Sequence, residues 1–168
     1  MTFKLSTRSL DNMKLLHPRM VAVVNGAITI TEQDFIVWDR AARTAAEQNV
    51  LFKRGVTQMD GYRKKSNHQV KDDGFGWAVD IWPYVPGRPM GELMNDPKVW
   101  DLIYPIAFAM ARAALDEGIR LRWGGNWYEC LNDYGTSTEA CAEAVQRYKR
   151  DHPGPDFIDG PHFEMLAA

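Results

Sequence analysis

Hydrophobic positions along the chain switch repeatedly between helical spacing and strand alternation, and those switches predict its elements. Ser6 to Leu16 predicts a short helix with Ser9 as N-cap, because Leu10, Met13 and Leu16 recur at helical spacing. Pro18 opens a second helix in which Met20, Val21, Val24, Ala27 and Ile28 form one apolar stripe, ended by Thr29 to Thr31. The β-rich run Phe35-Ile36-Val37-Trp38 predicts the first core strand. Ala41 to Arg54 predicts a helix stopped by Gly55. Ala78 to Trp82 predicts a second strand, ended by Pro83. Its alternation puts Ala78, Asp80 and Trp82 on one face and Val79 and Ile81 on the other.

Pro86, Gly87, Pro89 and Gly91 make Val85 to Asn95 a loop. Asp96-Pro97 starts a short helix. Pro105 then starts or kinks a longer one that runs to Gly118, with Ile106, Ala109, Met110, Ala113 and Ala114 inward. Ile119 to Trp123 predicts a third strand, followed by an aromatic turn at Trp123-Gly124-Gly125-Asn126-Trp127. Thr138 to Arg150 is a helix capped by Ser137 or Thr136 and broken by Pro153-Gly154-Pro155, and His162 to Leu166 is the last strand. There is no internal repeat, low-complexity tract or Ser/Gly linker. Helices that precede and interrupt a small sheet make the class α+β, one compact domain over residues 1–168.

Composition acts mainly by exclusion. The 168 residues suffice for one domain with a proper core and are too few for two comfortable ones. A hydrophobic content of 45% with 25% charged residues is ordinary for a soluble globular protein. A net charge of −2, with Arg63-Lys64-Lys65 the one basic cluster, leaves no footprint for nucleic acid. Cys130 and Cys141 make no disulfide framework; they either pair or stay as thiols in a reducing compartment. The N-terminus lacks the apolar run of a secretory signal, and no stretch is apolar enough to span a membrane.

Candidate chemistry gathers at Ser66-Asn67-His68, Asp80, and the C-terminal run Asp159-Gly160-Pro161-His162-Phe163-Glu164. His17 and His152, each before a proline, lie at helix boundaries and are read as structural. His68 and His162 each lie beside a predicted strand with a carboxylate nearby, and rigid strand ends hold ligands well. Asp80 sits inside a strand; a carboxylate there is either exposed on an edge strand or matched by a cation, because burying it unpaired is costly. Two histidines and an aspartate form the three-ligand set of a catalytic zinc site, which keeps a fourth position open. Asp159 is either an ordinary turn residue before glycine or, three residues from His162, a base for water at that site. Arg43 is either a solvated helix residue or the cation that faces a developing oxyanion.

Ser-x-His, then Ala-x-Asp on a strand, then Asp-x-x-His near the C-terminus together resemble the zinc signature of the LAS metallopeptidases, which include D-alanyl-D-alanine carboxypeptidases, dipeptidases and phage L-alanyl-D-glutamate endopeptidases. Leu5-Ser6-Thr7-Arg8-Ser9-Leu10 with His17-Pro18, Phe35-Ile36-Val37, Arg43-Thr44 and Gly160-Pro161-His162-Phe163-Glu164 are similar to the phage endopeptidases in particular, so the resemblance covers most of the chain. It implies a hedgehog/DD-peptidase-like fold, with a small mainly antiparallel sheet flanked by helices. It also implies Zn²⁺ on His68, Asp80 and His162, Asp159 as general base and then acid, and Arg43 polarising the scissile carbonyl. Ser66 would support the site by hydrogen bonding, and the Trp123 to Trp127 turn would line the cleft.

The implied activity is cleavage of the L-alanyl-D-glutamate bond of peptidoglycan stem peptides by a monomeric phage or prophage endolysin. Such an enzyme would be held in the host cytoplasm until another protein opens the membrane, with no separate wall-binding domain. Three departures from the family pattern stand out. The Lys71 to Gly74 segment lengthens the gap between His68 and Asp80; it either touches substrate or is inert, with Asp72 and Asp73 as a further candidate pair for a second cation. The family usually shows a glycine where Arg40-Ala41-Ala42 stands, and Arg40 rivals Arg43 for the same role. The stretch from Trp127 to Asp159 carries an added helix. Two alternatives remain: a D-alanyl-D-alanine carboxypeptidase or dipeptidase of the same fold, and a non-catalytic zinc-binding module.

Overall fold

The computed structural model describes residues 2–153 and 158–167. Among these, seven helices and five strands occur in the order α1 (Thr7–Asn12), α2 (Pro18–Ile30), β1 (Phe35–Val37), α3 (Ala45–Lys53), β2 (Ala78–Pro83), α4 (Met90–Met94), α5 (Val99–Asp116), β3 (Leu121–Trp123), β4 (Asn126–Cys130), α6 (Leu131–Tyr134), α7 (Thr138–Asp151) and β5 (His162–Met165). The strands form one sheet in the order β1-β2-β5-β3-β4, antiparallel at every pairing. It is the expected α+β arrangement.

The C-terminal strand β5 lies at the centre of that sheet, between β2 and β3. Alternation then divides the central strands into two faces. Val79, Ile81, Phe163, Met165, Leu121 and Trp123 are buried in the apolar core with α2, α5 and α7. Asp80, His162 and Glu164 fall on the opposite face, with Asp80 directly across from His162 in the β2–β5 register. The core face is thick because α5 is apolar over most of its surface and packs against α2. Gly26 permits that approach: a Cβ there would sit 3.2 Å from the Ala113 side chain.

Several boundaries differ from expectation for local reasons. Ser6, not Ser9, caps α1: Ser9 N–H donates to Ser6 Oγ at 3.1 Å, and Ser9 Oγ is buried as the acceptor for Val37 N–H. Helix α3 begins at Ala45 rather than Ala41 because Thr44 and Glu47 form a reciprocal capping box, leaving Ala41 to Arg43 outside the helix. Pro105 lies inside a continuous α5, whose extensive apolar burial offsets one missing hydrogen bond. The segment from Val85 to Asn95 contains the five-residue helix α4, which follows Pro89. The aromatic turn is the head of a hairpin whose second strand, β4, carries Asn126 and Trp127. Ser137 caps α7. That helix ends at Asp151, while Gly154 and Pro155 of the expected breaker lie outside the described residues. Both cysteines are free and buried. Among the described residues no helix is long and apolar enough to cross a membrane.

Candidate metal centre

Two layers bring the site together. The sheet contributes Asp80 and His162 as cross-strand neighbours on β2 and β5. The connection between α3 and β2 contributes His68, which sits in a turn rather than on a strand. That turn is tied on both sides. Arg43 N–H donates to His68 O at 2.8 Å, and Val70 N–H donates to Arg43 O at 3.1 Å. Ser66 Oγ accepts the His68 N–H at 3.2 Å. The buried Gln69 side chain accepts from Ser66 N–H at 2.9 Å and donates to Gly61 O at 2.8 Å. Ser66 thus acts on the backbone beneath His68.

His68 Nε2, His162 Nδ1 and Asp80 Oδ1 form a triangle with all three sides 3.2 Å. Donor atoms held about 2.0–2.1 Å from a tetrahedral ion stand roughly 3.3 Å apart, so this triangle matches one face of such a coordination sphere. The other ring nitrogens are engaged as ligand orientation requires. His68 Nδ1 lies 3.0 Å from Ala41 O, and His162 Nε2 lies 3.1 Å from Glu164 Oε2. A backbone carbonyl can only accept, so His68 Nδ1 carries the proton and Nε2 presents its lone pair. These three side chains can hold a metal ion, and they are the one such group of His, Cys, Asp or Glu among the described residues.

Electrostatics within the site are strongly coupled. Burial by itself would raise the Asp80 carboxyl, but His68 and His162 overcome it and hold Asp80 well below the ordinary carboxylate range. Burial disfavours charge on His162, yet Asp80 and Glu164 push it up to about 10. A metal ion at Nδ1 therefore competes with a proton that both carboxylates favour. Burial opposes ionisation of Glu164 as well, and His162, Asn67 and Arg122 hold it at about 2.

Asp159 comes to the same place. Its N–H donates to Gly124 O and its carbonyl accepts the His162 N–H, at 2.9 and 3.1 Å. Burial raises its carboxyl above the ordinary aspartate value; Asp80 adds to the rise, while His162, His68 and Arg43 pull the other way. Gly124 is needed for this fit, because a Cβ there would lie 2.2 Å from Asp159 O. Trp123 fixes the next residue, its indole N–H donating to Gly160 O at 2.6 Å. The Trp127 ring lies 5.3 Å from that of His162.

The two rival arginines separate. Arg43 reaches into the site, with Nη2 3.4 Å from Asp80 Oδ2 and its side chain mostly buried. Arg40 points away, exposed and paired with Glu47 at the start of α3. The Lys71 to Gly74 segment is tied to itself and its surroundings. Asp73 accepts from Phe75 N–H at 3.0 Å and Trp77 Nε1–H at 2.7 Å, and Lys71 Nζ lies 3.7 Å from the centre of the Trp77 ring. Asp72 and Asp73 belong to no metal-holding group among the described residues. His17 and His152 cap α2 and α7.

Glu164 and Asn67 lie within the candidate stretches, but the sequence assigns neither a role. Asn67 Nδ2 donates to Glu164 Oε2 at 2.7 Å, and Arg122 pairs with the other carboxylate oxygen. The signal was present in the strand alternation, since Glu164 stands two residues from His162 and so shares its face.

Comparison with known proteins gives a family and a fold. A family model described as phage L-alanyl-D-glutamate peptidase matches residues 1–166. The crystal structure of the Serratia marcescens L-Ala D-Glu endopeptidase ChiX superposes with a TM-score of 0.63 at 25% identity, covering 97% of this chain and 90% of that one. A search of curated protein sequences finds no match.

Proposed function

The chain belongs to the phage L-alanyl-D-glutamate peptidase family, and on that premise we propose that it is a zinc-dependent endopeptidase. It hydrolyses the L-alanyl-D-glutamate bond of peptidoglycan stem peptides as a single catalytic domain, and it serves in host lysis. The observation that carries the reading is the 3.2 Å triangle of His68, Asp80 and His162 with the half-buried Asp159 beside it. Two imidazoles and one carboxylate suit zinc, whereas calcium and magnesium favour sites built from oxygen alone. A structural zinc site closes with four protein ligands; three protein ligands are the catalytic pattern.

Zinc, when bound, supplies a Lewis acid that polarises the scissile carbonyl and acidifies water. His68, Asp80 and His162 hold it. Asp159 takes a proton from the attacking water, and its raised pKa suits it to return that proton to the departing D-glutamyl nitrogen. The products are a new L-alanyl carboxylate and a free D-glutamyl amine. Arg43 places a guanidinium beside Asp80, where it balances negative charge as the carbonyl oxygen becomes an oxyanion. Trp127 forms the apolar wall of the cleft next to His162. The reading has the chain made in the host cytoplasm and reaching the wall once another protein has breached the membrane.

Digestion of purified peptidoglycan with the zinc-loaded protein, followed by mass spectrometry, tests this. New N-terminal D-glutamate that disappears on chelation is the expected result. Release of D-alanine would instead assign a carboxypeptidase, and intact substrate beside bound zinc would assign a non-catalytic module. Asp159→Asn should keep zinc and lose about 10²–10⁴-fold in turnover. Retention of full turnover would remove Asp159 from the role of base.

A further inference from the structure

The two histidines of the triangle are oriented by different means. His68 presents Nε2 and gives its Nδ1 proton to a neutral backbone carbonyl, Ala41 O, at 3.0 Å. His162 presents Nδ1, and its Nε2 lies 3.1 Å from the carboxylate of Glu164. Glu164 is 4% exposed, and a carboxylate buried to that extent is costly unless its oxygens are satisfied. They are satisfied on both sides. Oε2 is shared by His162 Nε2 and Asn67 Nδ2, the latter at 2.7 Å, and Oε1 pairs with Arg122 on β3.

Position makes this more than a buried ion pair. Glu164 is on β5, on the His162 face of the sheet, while Asn67 is the residue before His68. Asn67 is fixed in turn, its carbonyl accepting Trp77 N–H at 2.7 Å just ahead of β2. One carboxylate oxygen therefore contacts the strand-borne histidine and the turn that carries the other histidine.

We propose that Glu164, braced by Asn67 and Arg122, is the positioning residue of the metal site, holding the Nε2 proton of His162 so that Nδ1 is the donor and setting the span between the two histidines. The inference rests on the metal reading given above. Glu164 does not touch the metal or the substrate; it acts through His162 and Asn67. Outer hydrogen-bond partners of this kind contribute about 10–100-fold to metal affinity.

The test measures zinc affinity by competition with a chelating indicator, for the unaltered protein and for Glu164→Gln, which preserves side-chain size. Circular dichroism checks the fold, and the visible ligand-field band of the Co²⁺ form reports coordination independently of turnover. The expected result is a loss of about 10–100-fold in zinc affinity with a shifted Co²⁺ band. Affinity and band both unchanged would overturn the positioning role while leaving the metal reading intact. Failure of the unaltered protein to take up zinc would overturn the metal reading itself. If Glu164→Gln does not fold, Asn67→Ala decides: a loss of about 10-fold or more supports the role, and a smaller loss or an unchanged affinity overturns it.

Discussion

The sheet and the α3–β2 connection each deliver part of one site, and they hold what they deliver in opposite ways. Asp80 and His162 are placed by register: they face each other across β2 and β5, whose other face is sealed by Val79, Ile81, Phe163 and Met165 against the helices. His68 and Arg43 lie outside the main strands, joined by an isolated bridge between Arg43 and Gln69. Their surroundings are polar and local. Asp60 Oδ1 accepts from the N–H groups of Tyr62, Arg63 and Lys64, while Gln48 and Asn49 of α3 donate to Met59 O and Asp60 O. Apolar burial fixes the first layer and a mesh of side chain to backbone hydrogen bonds fixes the second. The sheet can thus be pre-formed to high precision, whereas the connection depends on a few irreplaceable donors and acceptors.

After the general base itself, the largest effect should come from the cationic group of the connection. Arg43→Gln should lower turnover by about 10²–10³-fold, the range for losing one donor to a developing oxyanion. It should also move the acid limb of the pH–rate profile. Asp159 works as a base only when ionised, and burial and Asp80 already raise its carboxyl, while Arg43 is among the groups that lower it. Removing that guanidinium raises Asp159 further, so activity should appear at higher pH than in the unaltered protein. Profiles measured for both proteins check the direction; a limb that stays in place or moves to lower pH would separate Arg43 from Asp159.

On the sheet side, Gly124→Ala should cost about 10²-fold in turnover, as expected when a catalytic group is displaced by about 1 Å. The added Cβ would meet the backbone carbonyl of Asp159 at 2.2 Å, and no flexible side chain is there to yield. Gly124 N–H also donates to His162 O at 2.9 Å, but the His162 ring is held separately by Asp80 and Glu164, so zinc affinity should fall less than turnover. Affinity and turnover falling together would mean that the Gly124 turn supports the whole site.

How much of this was legible in the chain follows the same division. Strand alternation placed Asp80 opposite to Val79 and Ile81, because period-two geometry needs no long-range information, and Asp159 lies near His162 because only a short turn, closed by the His162 N–H to Asp159 O bond, separates them. The apolar stripes of α2 and α5 were legible for a similar reason. The non-helical path of Ala41 to Arg43 was not, since the Thr44–Glu47 capping box overrode the helical composition of the segment. Neither was the separation of Arg43 from Arg40, which depends on where the chain turns after β1. Strand β4 was hidden because Asn126 and the preceding glycines look like turn residues, and its pairing with β3 carries a register shift. Glu164 was visible in the alternation, but its partners Asn67 and Arg122 come from distant parts of the chain.

Within the connection, Gln69→Ala should produce a smaller but measurable effect. The side chain is buried and serves Ser66 N–H and Gly61 O, so truncation leaves both groups without this partner, at a cost of about 1–3 kcal/mol. Thermal unfolding of the variant should shift down accordingly, and zinc affinity should fall with it because His68 sits on the loosened turn. A fall in stability with unchanged affinity would show that the turn remains fixed by its backbone bridge to Arg43 alone.

The smallest effect is expected at Ser66, and it separates two meanings of support. Its hydroxyl accepts a single bond, 3.2 Å from His68 N, within a turn that Gln69 and Arg43 already restrain. The net contribution of such a bond is about 0.5–1.5 kcal/mol, and Ser66 is only half-buried, so water can replace part of it. Ser66→Ala should therefore lower stability slightly and leave the Michaelis constant for peptidoglycan fragments unchanged. A hydroxyl that touched substrate would behave differently, raising the Michaelis constant with little change in stability. Measuring both quantities on the one variant decides whether Ser66 belongs to the mesh under His68 or to the cleft above it.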